Sequence, residues 1–409
     1  MLVYFLIIIP VLTLSFLAFN YWQERRYRRK PFYKLSDVGW QRQNPPAQEE
    51  VVHSVALIGD IGAVATDGTD PVLQLVRQWQ LEAQDKGSMI FLGDNLYPIG
   101  LPETGNRHRA LAEARLDTLI ESVKCYSGQG IFISGNHDWF KGREGGYEQM
   151  LRQEQYVQEH LPQTHSYLPP KGCPGPTSLQ LAAGLLLVVI NTQWFVQRGF
   201  KPLGSKYDCP YTDIEEFFVR LNKLLKRNTH QHVLIAAHHP LYSNAMHGGK
   251  FTIKQHVFPL TALHKRFLIP LPLFGSLYPF YRKMFGAYED MSHRKYKRMR
   301  KRLLRIFHRY NNIIYAGGHD HNLQHFEVQG NHYIVSGSGS KTAFVKKGGR
   351  ATFTLEELGF FVLNYYQNGE VWIECRVVSD TDEGGQVAFR KKVSTTVQNF
   401  AKQDFPQPA

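Results

Sequence analysis

An α/β fold is predicted by three features of this 409-residue chain. Short apolar runs recur along it, helix-length amphipathic stretches fall between several of them, and polar clusters follow the runs directly. The runs cover residues 51–58, 89–92, 131–134, 185–190, 233–237, 313–315 and 333–335. Their length and β-branched content mark buried strands. Stretches 72–84, 107–124 and 213–226 carry helical spacing, so strands and helices alternate, as they do in layered αβ domains. Residues 359–392 read as further strands, and no internal repeat is evident.

The polar clusters are GDIG at 59–62, GDNLY at 93–97, GNHD at 135–138, AHHP at 237–240 and GHDH at 318–321. Ligands of αβ sheets bind beyond the carboxyl ends of the strands, so these motifs are expected to converge on one crevice. Their glycines allow tight turns and close backbone approach. Carboxylate, imidazole and amide oxygen suit borderline or hard cations, and the absence of cysteine from the set argues against a soft-metal site; iron, zinc and manganese are the candidates. Asp94 is the natural bridge of a two-metal site, since one carboxylate can touch both cations across roughly 3.5–4 Å. Asp60 then completes one side. His53, His108 and His332 stand outside the motifs and read as structural; for His239 a structural and a functional role are equally open.

Lys and Arg outnumber Asp and Glu by 48 to 35, a formal charge of +13 that suits anionic partners such as phosphoesters or lipid headgroups. No nucleic-acid recognition motif accompanies the charge, so specific nucleic-acid binding is not expected. The four cysteines show no CxxC spacing, which argues against a zinc ribbon or a thioredoxin-like site. Cys173 and Cys209 are candidates to pair.

Residues 2–19 are almost wholly apolar and long enough to cross a hydrocarbon core of roughly 30 Å as one helix. No basic stretch precedes them and no small-residue cleavage site follows, so residues 1–20 read as an uncleaved anchor. Residues 21–50 read as a basic flank and a linker containing Pro45 and Pro46, residues 51–392 as the globular domain, and 393–409 as a flexible tail. Arg25, Arg26, Arg28, Arg29 and Lys30 follow the apolar run, and the positive-inside rule places such a flank on the cytoplasmic side.

In this order, GD, GDxxY, GNH, xHxP and GHxH resemble the signature of the calcineurin-like metallophosphoesterases. That resemblance implies a four-layer αββα sandwich, two mixed sheets flanked by helices. The family's first motif usually places a His two residues after the Asp, but Gly62 stands here and Tyr97 supplies the replacement. This pairing resembles the purple acid phosphatases of the mammalian tartrate-resistant type, in which a tyrosinate binds Fe(III). The resemblance implies that Asp60, Asp94, Tyr97 and His321 hold a ferric ion, while Asp94, Asn136, His238 and His319 hold a divalent Fe, Zn or Mn. A phenolate is a hard anionic donor and favours the ferric ion.

His137 resembles the family histidine that donates to the phosphoryl group, and His247 resembles the second active-site histidine, placed to protonate the leaving oxygen. Imidazole suits both roles because its ordinary pKa is near 6.5. The implied reaction is phosphomonoester hydrolysis of the acid-phosphatase kind, with the metals lowering the pKa of a bound water toward roughly 7 for in-line attack. The same core serves phosphodiesterases, nucleotide pyrophosphatases and phospholipid phosphoesterases, and a further alternative is a scaffold on this fold without catalysis; the full ligand set argues against the last. The family resemblance points to a periplasmic or extracellular domain, against the cytoplasmic side indicated by the charged flank.

An insert at about 250–310 departs from the family pattern. Its apolar part, 267–285, is broken by Pro270, Pro272, Gly275 and Pro279 and reads as a lid or interfacial segment. Met299, Leu303, Ile306, Phe307 and Tyr310 then recur at helical spacing among basic residues. Two accounts follow: a core-packed helix with a solvated basic face, or a surface in which residues 267–309 press against an anionic bilayer beside the active site.

Overall fold

The structure is a computed structural model. It describes scattered residues between 8 and 24, then 26–161, 163–262, 266–271, 274–379, 381–382 and 384–393. In chain order the strands are β1 (Phe32–Tyr33), β2 (Val51–Ile58), β3 (Gly87–Phe91), β4 (Gln129–Phe132), β5 (Thr177–Ala182), β6 (Leu185–Val189), β7 (His232–Ala236), β8 (Ile313–Gly317), β9 (Leu323–Val328), β10 (Asn331–Ser336), β11 (Ala351–Leu355), β12 (Gly359–Tyr366), β13 (Val371–Val377) and β14 (Gln386–Val393). Every predicted strand coincides with one of these, shifted by at most two or three residues at an end. The predicted helices are Pro71–Ala83, Arg109–Lys124 and Ile214–Arg227.

The strands form two sheets, one in the order β1-β11-β9-β10-β8-β7-β6-β5 and one in the order β14-β13-β12-β2-β3-β4. Both are mixed: β2, β3 and β4 run parallel in one, β6, β7, β8 and β10 in the other. Alternation along each strand builds the layers, because successive side chains point to opposite faces. Val55 and Leu57 of β2 pack between the sheets with Leu234, Ala236, Ile314 and Leu363. Ala56 and Ile58 face outward against Val72, Val76 and Trp79 of one helix and Leu116 and Ile120 of the next. On the far side Val233, Ile235 and Tyr315 meet Phe217 and Leu221 of helix Ile214–Arg227. Two mixed sheets flanked by helices are the architecture that the resemblance implied. Register pins it, since β2 pairs with β12 through Leu57↔Phe361 and Val55↔Leu363 and a one-residue slip would turn each apolar set to the wrong face.

The polar stretch read as a linker is packed on the domain. Tyr33 pairs with Phe353 of β11, Trp40 is buried in the core between the sheets, and Lys391 meets Asp37 at 2.7 Å. Most of the predicted membrane span lies outside the described residues, as does the predicted tail from 394 onward. Among the described residues no helix is long and apolar enough to cross a membrane. In the insert, helix Arg294–Phe307 buries Tyr296, Met299, Leu303 and Phe307 in the outer core and leaves Arg302 to pair with Glu215, which favours the core-packed account of that helix.

Candidate metal centre

All five motifs end at the carboxyl ends of parallel strands: Asp60 after β2, Asp94 and Tyr97 after β3, Asn136 after β4, His238 after β7, and His319 and His321 after β8. Asp60, Asp94 and His319 hold left-handed backbone (φ 59°, 53° and 69°), an uncommon state for such residues that clusters at functional sites. Two glycines make room. A Cβ on Gly135 would sit 2.3 Å from Asp94 Oδ1, and one on Gly318 would sit 2.3 Å from Asp60 Oδ2.

The seven predicted ligands converge. Asp60, Asp94 and His238 each bring a donor atom to within 4.8 Å of the others. On one side, Tyr97 Oη lies 2.9 Å from Asp60 Oδ1, 3.2 Å from Asp94 Oδ2 and 3.1 Å from His321 Nε2. On the other, Asn136 Oδ1 lies 2.9 Å from His238 Nε2 and 3.1 Å from His319 Nδ1, and Asp94 Oδ1 is 3.5 Å from His238 Nε2. Asp94 therefore offers one oxygen to each group. Two buried carboxylates and a phenol oxygen with three imidazoles form a donor set that fits cations of the hard and borderline kind.

Backbone carbonyls orient the rings. His238 Nδ1 lies 2.8 Å from Leu92 O and His319 Nε2 3.1 Å from Glu289 O; a proton on each of these nitrogens leaves the other nitrogen of the ring free for the site. Glu289 Oε1 accepts from Asn136 Nδ2 at 2.9 Å and so turns the amide oxygen inward. Burial would raise the Asp94 carboxyl, but the charges of His238 and His137 outweigh it and hold the group at about 2. Burial, followed by the charges of Asp60 and Asp94, pushes the Tyr97 phenol well above its ordinary range. The Lys341 ammonium lies over the Tyr97 ring, 3.1 Å from its centre.

His137 and His247 flank this cluster. His137 bonds Pro98 O through Nδ1, packs edge-on to Tyr97 and brings Nε2 to 3.8 Å from Asp94. His247 sits 2.9 Å from Asp290 Oδ1, which also receives Arg282, and its ring centre is 4.2 Å from that of His319. Against the penalty of burial, the Asp290 hydrogen bond and the Asp320 and Asp290 charges raise His247. His239 is fully buried behind His238 and bonds Thr192.

Sequence reasoning missed Glu289, Asp290, Lys341 and Asp138. Asp138 accepts from the backbone of Asn95 and Gly135 and from Gln153, tying the β3 and β4 loops together, and its place inside GNHD was a usable signal. Burial, then the Asp94 charge, pushes it up to about 7. Glu289 and Asp290 come from the insert, where no strand-end motif marks them.

A two-sheet sandwich with this donor set at its strand ends defines a metal-dependent phosphoesterase. The chain belongs to the calcineurin-like phosphoesterase family, whose model matches residues 53–323. Its structure is similar to GAP50, the anchor in the inner membrane complex of Plasmodium, at 15% identity and TM-score 0.51, covering 86% of this chain and 92% of that one. It is also similar to purple acid phosphatase PPD1 from yellow lupin (Lupinus luteus) seeds, at 16% identity and TM-score 0.54, covering 86% of this chain and 55% of the lupin chain. At these identities the likeness establishes the fold alone. None of the curated proteins compared matches this chain.

Proposed function

We propose that this chain hydrolyses phosphomonoesters in the manner of a purple acid phosphatase, at a centre of Fe(III) and a divalent Fe, Zn or Mn. The split of Asp94 between Tyr97 on one side and His238 on the other carries this reading, because it supplies a bridge between two donor groups. Asp60, Asp94, Tyr97 and His321 would hold the ferric ion, and Asp94, Asn136, His238 and His319 the divalent one. When bound, the cations supply the charge that activates water and offsets the charge gathering on the phosphoryl oxygens.

The residues of the chain do the rest. His137, its Nδ1 held by Pro98, turns Nε2 toward the phosphoryl group. Water gives up one proton to solvent as it adds to phosphorus, the bond to the leaving oxygen breaks, and His247, steadied by Asp290, gives that oxygen a proton and is reprotonated from solvent. The purified full chain should release phosphate from a generic monoester, and His137→Ala should slow it. No turnover of monoester or diester by metal-loaded protein would favour the scaffold reading instead.

A membrane-borne phosphoester is the second reading, favoured by apolar side chains beside the site. Phe274, Leu277, Phe280, Met284 and Phe285 are exposed, with Phe274 at 73% and Phe285 at 65%. Described residues of the N-terminal helical stretch, among them Leu12, Phe16 and Phe19, are exposed too. Such a patch with basic residues around it suits an anionic lipid surface. Phe280→Asp with Phe285→Asp should lower the ratio of turnover on vesicles to turnover of a soluble aryl phosphate, and an unchanged ratio would sink the idea. The Cys173–Cys209 disulfide supports an oxidising compartment for the domain, against the charged flank. A C-terminal topology reporter active only inside the cytoplasm would overturn that placement.

A further inference from the structure

Next to His247 lies a cavity of about 270 Å³ lined by Lys141, Arg143, Arg198, Arg282, Tyr288 and Glu289. It continues the metal centre sideways. Glu289 bonds Asn136, and His247 packs against His319, so the cavity opens on the side where a leaving group would depart.

Its charges are unequal. Arg282 is neutralised by Asp290, and Glu289 is engaged with Asn136. Among the described residues, Lys141, Arg143 and Arg198 form no close ion pair with a carboxylate, although the Lys141 charge acts on Glu289 across the cavity. They come from two chain segments that the backbone ties together: Arg198 N and Gly199 N both donate to Gly142 O at 3.0 Å, and Lys141 N donates to Asn136 O at 2.7 Å. Aromatic faces support the arginines, with Arg198 4.6 Å over Tyr288 and Arg143 5.6 Å over Phe140. Arg143 and Arg198 are exposed and Lys141 is half-buried, so the cavity opens to solvent with three basic side chains around it. A concavity lined by one sign of charge focuses its field and draws in an anion.

We propose that this cavity binds a second phosphate, carried by the leaving group, so that the preferred substrate is a bisphosphate rather than a simple monoester. Guanidinium forks match phosphate oxygens two at a time, which lysine alone does not achieve, and two arginines face this cavity beside the lysine. This assignment rests on the hydrolase reading only for the direction in which the leaving group lies.

Equilibrium binding to the metal-loaded full chain tests it, using an alkane α,ω-bisphosphonate and the alkylphosphonate of the same chain length, neither of which can be hydrolysed. The bisphosphonate should bind about 10- to 100-fold more tightly at low salt, as expected for one or two additional charge-assisted contacts. Arg198→Gln and Arg143→Gln should each bring the ratio down toward unity, and Arg143→Lys, which keeps the charge but loses the fork, should fall between. Equal affinity of the unaltered protein for the two ligands overturns the proposal, as does equal affinity for an analogue whose second group is a carboxylate. Hydrolysis of monoesters together with equal affinities would defeat the second-phosphate site alone. Selective binding without any hydrolysis would defeat the hydrolase reading and leave the site standing.

Discussion

The phenol oxygen of Tyr97 lies 2.9 Å from Oδ1 of Asp60, in a pocket where both side chains are nearly closed to solvent. The neutral phenol donates a hydrogen bond to that carboxylate; were it ionised, the two anions would repel unless a cation lay between them. With Fe(III) there, the protein should show a visible charge-transfer band that Tyr97→Phe abolishes, with activity falling at least about 10-fold. Metal analysis alongside the spectrum checks this, and a colourless, fully active di-zinc or di-manganese protein would refute the ferric assignment.

Glu289 fixes the Asn136 amide through one hydrogen bond and receives His319 on its carbonyl. Glu289→Ala should weaken metal retention by about 10- to 100-fold, the usual cost of losing a residue that orients a ligand. Glu289→Gln still has an oxygen for Asn136 and should keep most of it. Competition with a chelator measures both, and equal loss in the two variants would contradict the orienting role.

His247→Ala should discriminate between leaving groups. Alkyl phosphates, whose alkoxide needs a proton, should lose about 10²- to 10⁴-fold in kcat, whereas nitrophenyl phosphate should lose far less. A Brønsted series over leaving-group pKa would reveal it as a steeper slope. An unchanged slope would remove His247 from the acid role.

Glu154 gives stability a pH dependence away from the metal centre. Burial pushes its carboxyl up from 4.5 to about 7, although both oxygens accept from Lys171 N at 2.8 and 2.9 Å. Between those values the folded chain keeps a proton that the unfolded chain releases, so this group's contribution is greatest below 4.5 and falls as pH rises through 7. The loss amounts to about 3 kcal/mol. Glu154→Gln should flatten this slope, seen as a smaller drop in Tm between pH 5 and 8 than in the unaltered protein.

The Cys173–Cys209 bond closes a loop across a separation of 36 residues. Cys173→Ser should cost about 3–5 kcal/mol. Thermal unfolding of this variant and of the reduced protein should show the same drop in Tm; a Tm unchanged in both would mean that the bridge contributes nothing.

The convergence of the seven candidate ligands was legible in the sequence because each stands a few residues after an apolar strand, often beside a glycine, and such local patterns need no knowledge of neighbours. The pairing of Cys173 with Cys209 and the burial stripe of Met299, Leu303 and Phe307 were legible as candidates for similar reasons. The stretch around Trp40 reads as a linker in the sequence but packs on the domain, since polar composition says nothing about one tryptophan finding the gap between two sheets.

By itself, then, the sequence determined the αβ class and singled out seven candidate donors and two candidate histidines, all of which rest on short-range chemistry. Only the tertiary structure decided that the two oxygens of Asp94 serve different sides, that Glu289 and Asp290 of the insert steady Asn136 and His247, and that Lys141, Arg143 and Arg198 share one cavity. These are contacts between segments far apart in the chain. Sheet register, left-handed turns and the packing of the insert set them, and none of the three leaves a periodic trace in the order of residues.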